Sequence, residues 1–276
     1  MQPLAAMRFA SDFLYWCRGL QMRLHYEVQG DGHPLVILHG FLGSSENWRA
    51  MRKRFATTYQ VFSVDQRNHG SSPHSSTMNY GAMTEDLREF LSEHGLSQVF
   101  LLGHSMGGKV AMQFASESPQ SIEKLVIVDI GPKAYPPAHR LLLQAMQNLK
   151  LRELKTYGEA EAALGATISD VPLRKFIVKN LTRDRNGEFQ WRIGLDSLAA
   201  NYDQLSKAPA LSNSFENPTC FIRGALSRFI DDQDFAAIRK HFPLAEFHTV
   251  LNAGHWVHID APEEFYRIVD ECLRRS

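Results

Sequence analysis

The sequence has few cysteines, no long apolar run and no excess of charge of either sign. Its three cysteines, Cys17, Cys220 and Cys272, lie far apart and match neither a metal-ligand spacing nor a disulfide framework. We therefore expect free thiols in a reducing compartment and assign the protein to the cytoplasm. No run of about 18 apolar residues occurs, which predicts that no helix spans a membrane.

Charge and hydrophobic content also narrow the class of partner. Thirty lysines and arginines balance 30 aspartates and glutamates, so the formal net charge is zero. Without a strongly basic surface, nucleic acid and anionic membranes are poor candidates for a partner. The 276-residue chain is 44% hydrophobic and can bury a large core. These values favour an enzyme or a binder of a small molecule.

The first 21 residues differ from the rest of the chain. They include Asp12 and Arg18 and lack the continuous apolar segment of a secretory signal. Met22 begins a stretch of alternating polar and apolar residues, which is typical of a strand. We therefore interpret residues 1–21 as an N-terminal extension that precedes the folded core.

Short continuous apolar runs recur along the chain and are typical of strands buried on both faces of a sheet. They occupy residues 35–38, 61–64, 99–102, 125–128 and 220–222, with a half-polar run at 247–250. Helical patterns occupy residues 80–94, 106–118, 231–241 and 262–274. This alternation predicts an α/β fold in which helices flank a mostly parallel sheet.

Residues 133–212 interrupt this alternation. Helical stretches follow one another there without a strong strand, at residues 138–157, 159–166, 170–182 and 194–205. We interpret this segment as a helical cap inserted into a core made of residues 22–132 and 213–276. The cap is expected to cover the C-terminal edge of the sheet. It is also expected to line an apolar acyl pocket with Phe176, Ile177, Trp191, Leu195, Leu198 and Tyr202.

A candidate nucleophile lies in the sequence Gly103-His104-Ser105-Met106-Gly107, which matches the pattern G-x-S-x-G. The pattern alone is weak evidence, but here it follows an apolar run and opens a helical pattern. A nucleophile elbow requires that context, because its serine sits on a strained turn between a strand and a helix. Small residues flank the serine because a bulky neighbour would clash. The pattern therefore indicates Ser105 as the nucleophile.

An oxyanion hole is predicted next to this serine. In folds with such an elbow, one backbone N–H comes from the loop after an earlier strand and another from the residue after the nucleophile. The loop His39–Gly43 follows the apolar run 35–38. The candidate donors are therefore the amides of Phe41 and Met106.

The base is expected after the serine in the chain order of this elbow type. His255 follows the last predicted strand directly and is preceded by a glycine, so it belongs to a loop at the same sheet edge as Ser105. His258 is the nearby alternative. The two histidines lack a third ligand at a usable spacing, which argues against a zinc site.

The acid is less directly indicated. Ser227 occupies the usual place of the aspartate, after the strand at 219–223, and Asp231 and Asp232 follow four and five residues later. These two precede a predicted helix, where carboxylates are common because of the helix dipole. Asp129 ends the strand at 125–128 and could reach the histidine Nδ1 from the other side, and we favour it. Ser227 would then orient the histidine.

Five blocks of sequence carry a resemblance to a known family. They are residues 39–44 (HGFLGS), 65–72 (DQRNHGSS), 103–108 (GHSMGG), 128–132 (VDIGP) and 253–258 (AGHWVH). With them the chain resembles the α/β-hydrolase superfamily, and within it the YbfF-type esterases, from Met22 to about Arg274. Members of that group carry the acid at the position of Asp129 and none at that of Ser227. The resemblance implies a capped carboxylester or thioester hydrolase that acts without a metal or other cofactor.

The expected reaction is transfer of an acyl group to water through an acyl-enzyme. Ser105 attacks the acyl carbonyl, His255 takes its proton, and Asp129 holds the histidine tautomer. The expected substrate is a small-molecule acyl ester or thioester. The residues expected to contact it are His39, Trp191, Ser227 and Trp256.

Two other functions are compatible with the same residues. One is a C–C hydrolase or lyase that uses the same triad, and the other is a non-enzymatic sensor that reports ligand binding to a partner. Haloalkane dehalogenases and epoxide hydrolases are disfavoured, because their nucleophile would be a carboxylate at position 105.

Overall fold

The computed structural model describes residues 22–275, and within them a seven-stranded sheet forms the centre of the molecule. The strands, including those of a separate two-stranded hairpin (β6 and β7), are β1 Tyr26–Gln29, β2 His33–Leu38, β3 Tyr59–Val64, β4 Val99–His104, β5 Ile122–Val128, β6 Leu181–Arg183, β7 Phe189–Trp191, β8 Thr219–Gly224 and β9 Ala245–Val250. The main sheet has the order β1-β3-β2-β4-β5-β8-β9. β1 pairs antiparallel to β3 and every other neighbour is parallel, which confirms the predicted mostly parallel sheet.

Helices cover both faces of the sheet. They are α1 Arg49–Phe55, α2 Tyr80–Glu93, α3 Met106–Glu117, α4 Arg140–Gln147, α5 Tyr157–Leu164, α6 Val171–Val178, α7 Leu195–Ala200, α8 Tyr202–Ser206, α9 Asp234–His241, α10 Val257–Asp260 and α11 Pro262–Arg274, with 3-10 turns at Ser45–Trp48, Pro119–Ser121 and Leu151–Glu153. On one face α2, α3 and α9 bury Leu87, Val110 and Ile238. On the other face α1 and α11 bury Phe55 and Phe265.

The apolar runs became the central strands because both faces of the sheet are covered. Leu35, Val36 and Ile37 in β2 are fully buried, as are Val99 and Leu101 in β4. Burial on both faces removes the alternation that a half-exposed strand would show. The first strand begins at Tyr26 rather than at residue 22, because its pairing with β3 starts there.

The cap segment, residues 133–212, contains α4 to α8 and the β6–β7 hairpin. The expectation of helices without a strong strand was therefore wrong at 181–191. The cause is the turn between the two strands: the Asp184 carboxylate accepts from the amides of Asn186 and Glu188, and Gly187 takes a positive φ of 80°. This turn chemistry closes a hairpin and ends the predicted helix 170–182 early.

Hydrogen bonds tie the cap segment to the core near its middle and at its exit. Near its middle the Asn180 side-chain amide donates to the carbonyl of Leu42, 2.9 Å away, and the Gly194 amide donates to the carbonyl of Asn68. At its exit the Lys109 ammonium donates to the carbonyl of Lys207, 2.6 Å away. The cap is thus joined to the loops that follow β2 and β3 and to helix α3.

The expectation of free thiols was wrong for two of the three cysteines. Cys220 in β8 and Cys272 in α11 form a disulfide, with Cα atoms 6.4 Å apart. Their separation of 52 residues hid the pairing, since only the packing of α11 against the sheet brings them together. The cytoplasmic assignment loses the support that free thiols gave it. Cys17 and the proposed extension, residues 1–21, lie outside the described residues.

None of the helices within residues 22–275 combines the length and the hydropathy needed to cross a bilayer.

Candidate active site

Ser105 lies at the sharp turn between β4 and α3, with φ 52° and ψ −117°. Three glycines allow this turn. A Cβ at Gly103 would lie 2.4 Å from the carbonyl oxygen of Gly107, and one at Gly107 would lie 2.5 Å from that of Leu38. A Cβ at Gly108 would lie 2.5 Å from the side chain of Ile130, which follows β5. The glycines of the motif are therefore required by close backbone packing, and the serine sits in a strained conformation.

A chain of hydrogen bonds joins three of the sequence-predicted residues. His255 Nε2 lies 2.9 Å from the Ser105 hydroxyl oxygen, and His255 Nδ1 lies 2.7 Å from Asp129 Oδ2. Because Nδ1–H donates to the carboxylate, Nε2 is left as the acceptor for the serine proton. This is the arrangement of a nucleophile, a base and an orienting acid.

Parallel pairing of β4 and β5 places the acid beside the nucleophile. His104 pairs with Val128, so Ser105 and Asp129 are the next residues on two neighbouring strands. Asp129 is fully buried and also takes a positive φ, 49°. Its carboxylate accepts from the Gly224 amide at 3.2 Å. A buried carboxylate with several donors is held in one orientation.

Ser227 hydrogen-bonds to Asp129 rather than to the histidine, and it borders neither cavity at Ser105. Its hydroxyl donates to Oδ2 of Asp129, the same oxygen that faces His255. The expectation that Ser227 contacts the histidine or the substrate was therefore wrong. In other enzymes with this elbow, the acid usually lies in the loop after β8. Here that loop carries Ser227, which donates a hydrogen bond to Asp129.

The alternative acids and the alternative base lie apart from this chain. Asp232 is an exposed residue paired with Arg223, and Asp231 is an exposed acceptor for the Gln233 amide. His258 is buried and stacks on Trp48, with ring centroids 4.2 Å apart. Within the described residues, none of the three hydrogen-bonds to the Ser105 hydroxyl or the His255 ring.

The expected oxyanion donors lie on the wall of one cavity with Ser105. The amides of Phe41 and Met106 donate no hydrogen bond within residues 22–275, so both are free to bind an oxyanion. Leu42, the residue after Phe41, takes a positive φ of 59°. Its amide donates to His69 Nε2 at 3.1 Å. Together with the bond from the cap to its carbonyl, this fixes the loop that carries the Phe41 amide.

Four other histidines surround the site and are held neutral. Burial lowers the pKa of His39, His139 and His104, the last well below its usual value. Burial and the nearby His255 lower the pKa of His258 to about 3. None of these rings competes with His255 for a proton near neutral pH.

His39 shapes the loop rather than the substrate. Its Nδ1 donates to the carbonyl of Gly40 at 2.8 Å, and its Nε2 accepts from the Gln66 amide at 3.0 Å. With both ring nitrogens engaged, no polar atom of His39 is left for a substrate. His39 borders the larger cavity, so its expected contact with the substrate stays a prediction.

Two cavities open on Ser105. The larger has a volume of about 230 Å³ and is lined by Phe41, Leu142, Leu173, Phe176 and Trp256, with the serine and His255 at its base. The smaller, about 80 Å³, is lined by Phe41, Met106, Lys109, Tyr135, Tyr202 and Ser105.

The expected pocket residues divide into lining and packing residues. Trp256, Phe176 and Tyr202 border the cavities as expected. Trp191 borders neither cavity, because it belongs to the β6–β7 hairpin and packs against the cap core. Ile177, Leu195 and Leu198 are buried inside the cap as well. Helical spacing could not distinguish the inner face of the cap from its core.

Sequence reasoning missed Phe229 and Tyr135. The Phe229 ring stacks on His255 with centroids 4.1 Å apart, and the Tyr135 hydroxyl donates to the Phe229 carbonyl at 2.6 Å. Both come from irregular segments without a motif, so the sequence carried no signal for them.

Lys109 is a buried cation at the smaller cavity that the sequence also did not reveal. Burial lowers its pKa to about 8. Its Nζ lies 4.8 Å from the centre of the Tyr135 ring. Lys109 lies one helical turn after Ser105, a spacing that could have pointed to the site. Residues 106–118 were interpreted only as a helix, so this signal was not used.

Asp65 and Arg67, in the Asp-x-Arg-Asn-His-Gly block, make structural contacts. Asp65 accepts from the Ser45 and Ser71 amides at 2.6 and 2.8 Å. Arg67 forms a two-pronged ion pair with Asp86. These contacts hold the loop after β3 against the loop that carries Phe41.

Possible metal ligands gather elsewhere in the molecule. Among the described residues, one group of three side chains brings its ligand atoms within 4.8 Å of one another: Cys220, His248 and Cys272. Cys220 belongs to β8 near its N-terminal end, whereas Ser105 follows the C-terminal end of β4. The spacing of the cysteines along the chain did not reveal this cluster, in which Cys220 and Cys272 are joined by the disulfide.

Comparison with known proteins agrees with the fold. A family model described as alpha/beta hydrolase fold matches residues 33–262. The chain belongs to the α/β-hydrolase family. Among curated relatives, this α/β hydrolase is 37% identical to sn-1-specific diacylglycerol lipase ABHD11 of Mus musculus over 247 residues, 87% of this chain and 80% of that protein.

Two further comparisons lie closer to the predicted group. This α/β hydrolase is 30% identical to esterase YbfF of Escherichia coli over 249 residues, 89% of this chain and 94% of that protein. A solved structure of a marine microorganism esterase matches with a TM-score of 0.88 and 36% identity, covering 91% of this chain and 99% of the other. The resemblance to YbfF-type esterases and the α/β-hydrolase fold are thereby confirmed.

Proposed function

We propose that this α/β hydrolase is a serine hydrolase that cleaves carboxylic ester or acyl thioester bonds of small acyl substrates through an acyl-enzyme intermediate. The observation that carries the proposal is the continuous hydrogen-bond chain from Ser105 through His255 to Asp129. Relatives named as esterases and as a lipase support hydrolysis of esters.

The first half of the reaction acylates the serine. Ser105 attacks the carbonyl carbon while His255 Nε2 takes the hydroxyl proton. Asp129 stabilises the imidazolium that forms, and its burial keeps the carboxylate orientation fixed. The amides of Phe41 and Met106 receive the oxyanion, where each such donor contributes about 3–4 kcal/mol to the transition state.

The second half releases the acyl group. His255 gives its proton to the leaving oxygen or sulfur, then removes one from the water that attacks the acyl-enzyme. The imidazole can carry out both transfers because its only other partner is Asp129 and the Phe229 ring packs on its face. Apart from the substrate and one water molecule, these steps use groups of this chain.

The size of the cavities supports a small substrate. The larger cavity, about 230 Å³, is below the roughly 300–1,000 Å³ typical of pockets for drug-sized ligands. Its lining of Phe41, Leu142, Phe176 and Trp256 is apolar, which suits an acyl chain. The smaller cavity receives the other half of the substrate, across the serine. We therefore expect short acyl chains to be turned over faster than long ones.

The test is hydrolysis of p-nitrophenyl esters and matched acyl thioesters of increasing chain length. Wild type, Ser105→Ala and Asp129→Asn are assayed in parallel, with Asp231→Asn as the matched carboxylate control. We expect Ser105→Ala to lose activity by orders of magnitude. Asp129→Asn should lose about 10⁴-fold in kcat, because the amide favours the wrong histidine tautomer. Asp231→Asn should stay near wild type.

The outcomes separate the proposal from the other functions. Trapping of an acyl group on Ser105, seen by mass spectrometry, identifies the acyl-enzyme. Wild type that is inert on every ester and thioester would refute hydrolysis and favour the C–C hydrolase or the sensor. Full activity of Asp129→Asn with loss in Asp231→Asn would reassign the acid.

A further inference from the structure

A cluster of two cysteines, a histidine and a glutamate lies on the face of the sheet that α11 covers. Cys220 comes from β8, Glu246 and His248 from β9, and Cys272 from α11. Strand pairing places Cys220 opposite Glu246 and Ile222 opposite His248, so three elements deliver these side chains to one place. Nothing in the proposed hydrolysis uses them.

The distances between the ligand atoms suit one small metal ion. His248 Nε2 lies 4.0 Å from the sulfur of Cys220 and 3.7 Å from that of Cys272. In a tetrahedral zinc site, with Zn–S about 2.3 Å and Zn–N about 2.0–2.1 Å, nitrogen and sulfur ligands stand about 3.6 Å apart. The imidazole is therefore already placed as a ligand to an ion that both sulfurs share.

A fourth donor stands beside the same nitrogen. Glu246 Oε2 lies 3.7 Å from His248 Nε2. Arg275 donates to this carboxylate at 2.6 Å and would fix its orientation, as outer-shell partners of metal ligands do. A carboxylate oxygen has two lone pairs and can keep this bond while it binds a metal. Two thiolates neutralise a divalent cation, and Arg275 balances the glutamate.

Burial and access are also those of a metal site. The two cysteines are buried, 7% and 6% exposed, whereas the His248 side chain is 23% exposed and leaves a path for entry. Thiolate and imidazole ligands together select zinc or other thiophilic ions rather than magnesium or calcium.

We propose that Cys220, His248 and Cys272, whose ligand atoms lie within 4.8 Å of one another, bind zinc in the reduced protein with Glu246 rotating in as the fourth donor, and that the disulfide and zinc-bound forms exclude each other. A dithiol reductant breaks the S–S bond, becomes a disulfide itself and leaves a hydrogen on each cysteine sulfur. Zn²⁺ then displaces both thiol protons to solvent. The sulfurs need to separate to about 3.8 Å on the ion, which rotation of the two side chains supplies.

The site is remote from the nucleophile. Cys220 and Gly224 are four residues apart on β8, which corresponds to about 13 Å along a strand. Gly224 is the residue whose amide contacts Asp129. Zinc at this site would join α11 to β8 and β9, and we assign it no part in ester hydrolysis.

The experiment measures zinc retained by the full chain after reduction and gel filtration. The protein is reduced with a phosphine under argon, mixed with Zn²⁺, separated and analysed for metal. We expect one zinc per chain in the reduced wild type and none in a sample kept oxidised. Cys220→Ser and His248→Gln each remove a ligand. Each should therefore lose more zinc affinity than the loss of about 10- to 100-fold that is typical of removing an outer-shell partner. Cys17→Ser is the matched control and should retain the metal.

A second measurement uses Co²⁺ with the same proteins. The reduced wild type should show thiolate-to-cobalt charge transfer and the intense visible bands of a tetrahedral ion, both absent in Cys272→Ser. Circular dichroism melts show whether each variant is folded. Equal zinc in reduced and oxidised wild type, or loss of zinc in Cys17→Ser as large as in Cys220→Ser, would overturn the proposal.

Discussion

At the scale of single residues, Ser227 shows how the acid is held in place. Its hydroxyl donates to the oxygen of Asp129 that also accepts a hydrogen bond from His255 Nδ1–H. A hydrogen bond to a charged group contributes about 1.5–3 kcal/mol. The orientation of the carboxylate therefore depends on a residue that touches neither the nucleophile nor the cavities.

We expect Ser227→Ala to lower kcat about 10- to 100-fold, which corresponds to the loss of one such bond. KM should change little, because the side chain lines neither cavity. Ser227→Thr keeps a hydroxyl and should recover most of the activity. Steady-state kinetics on a p-nitrophenyl ester measure the split, with the exposed Ser97→Ala as control. Unchanged kcat in Ser227→Ala would show that the hydroxyl does not support the acid.

Prediction of single residues from the sequence was most specific where the chemistry leaves a local pattern. The elbow pattern indicated Ser105, and the position after the last strand indicated His255. For Ser227 the sequence revealed only that a carboxylate was missing, because the direction of a hydroxyl depends on the folded loop. Trp191 was misplaced because an aromatic residue in a cap can face either the cavity or the cap core.

At the scale of elements, the turn from β4 to α3 depends on contacts between backbones. The carbonyl of Leu38 lies where a side chain at position 107 would begin. Such crowding cannot be relieved by rotating a side chain, so the strand and the helix would have to move apart.

We expect Gly107→Ala to destabilise the protein by at least about 1–3 kcal/mol, as overpacking does. The melting temperature should fall by about 2–4 °C for each kcal/mol. Gly81→Ala is the matched control. A Cβ added at Gly81 would have its nearest neighbour outside the helix 3.5 Å away, which is an ordinary contact. Alanine within a helix is also favoured over glycine by about 0.5–1 kcal/mol. Equal melting temperatures for the two variants would contradict the backbone contact.

Element types were predicted best where burial is uniform. Apolar runs identified β2 to β5 and β8, because a strand covered on both faces needs apolar side chains throughout. The β6–β7 hairpin was missed because its strands are three residues long and its turn is recognised only by an Asp carboxylate and a glycine. The cap helix predicted over residues 170–182 ends at Val178, because the hairpin that follows it was not recognised.

At the scale of the whole molecule, buried neutral histidines link stability to pH. Burial lowers the pKa of His69 and of His258 to about 3. In the unfolded chain the same side chains have pKa values of about 6.5. Between pH 6.5 and 3 the unfolded state therefore binds protons that the folded state does not, and stability falls as the pH falls.

Each such histidine should lower the free energy of unfolding by up to about 1.4 kcal/mol per pH unit below pH 6.5. Urea titrations at pH 7, 6, 5 and 4 measure this slope. His258→Phe keeps the stacking on Trp48 but cannot take up a proton, so its slope should be smaller than that of wild type. Parallel curves for the two proteins would show that His258 is protonated in the folded state.

The fold class followed from the alternation of strands and helices, but the order of the strands did not. The pairing of β5 with β8 spans the entire cap segment, and no local pattern encodes it. The disulfide between β8 and α11 was missed for the same reason. Long-range neighbours depend on how layers pack, which spacing along the chain does not record.

The nucleophile and the acid belong to one β–α–β unit, residues 99–129, since β4, α3 and β5 follow each other without interruption. Such a unit has a fixed right-handed crossover and behaves as one piece of architecture. In recombination between related genes, a single exchanged segment would carry both residues in register, and only the histidine would have to come from the recipient. Homologous exchange within this family can therefore alter the cap and the β8 loop while it inherits the reactive pair intact.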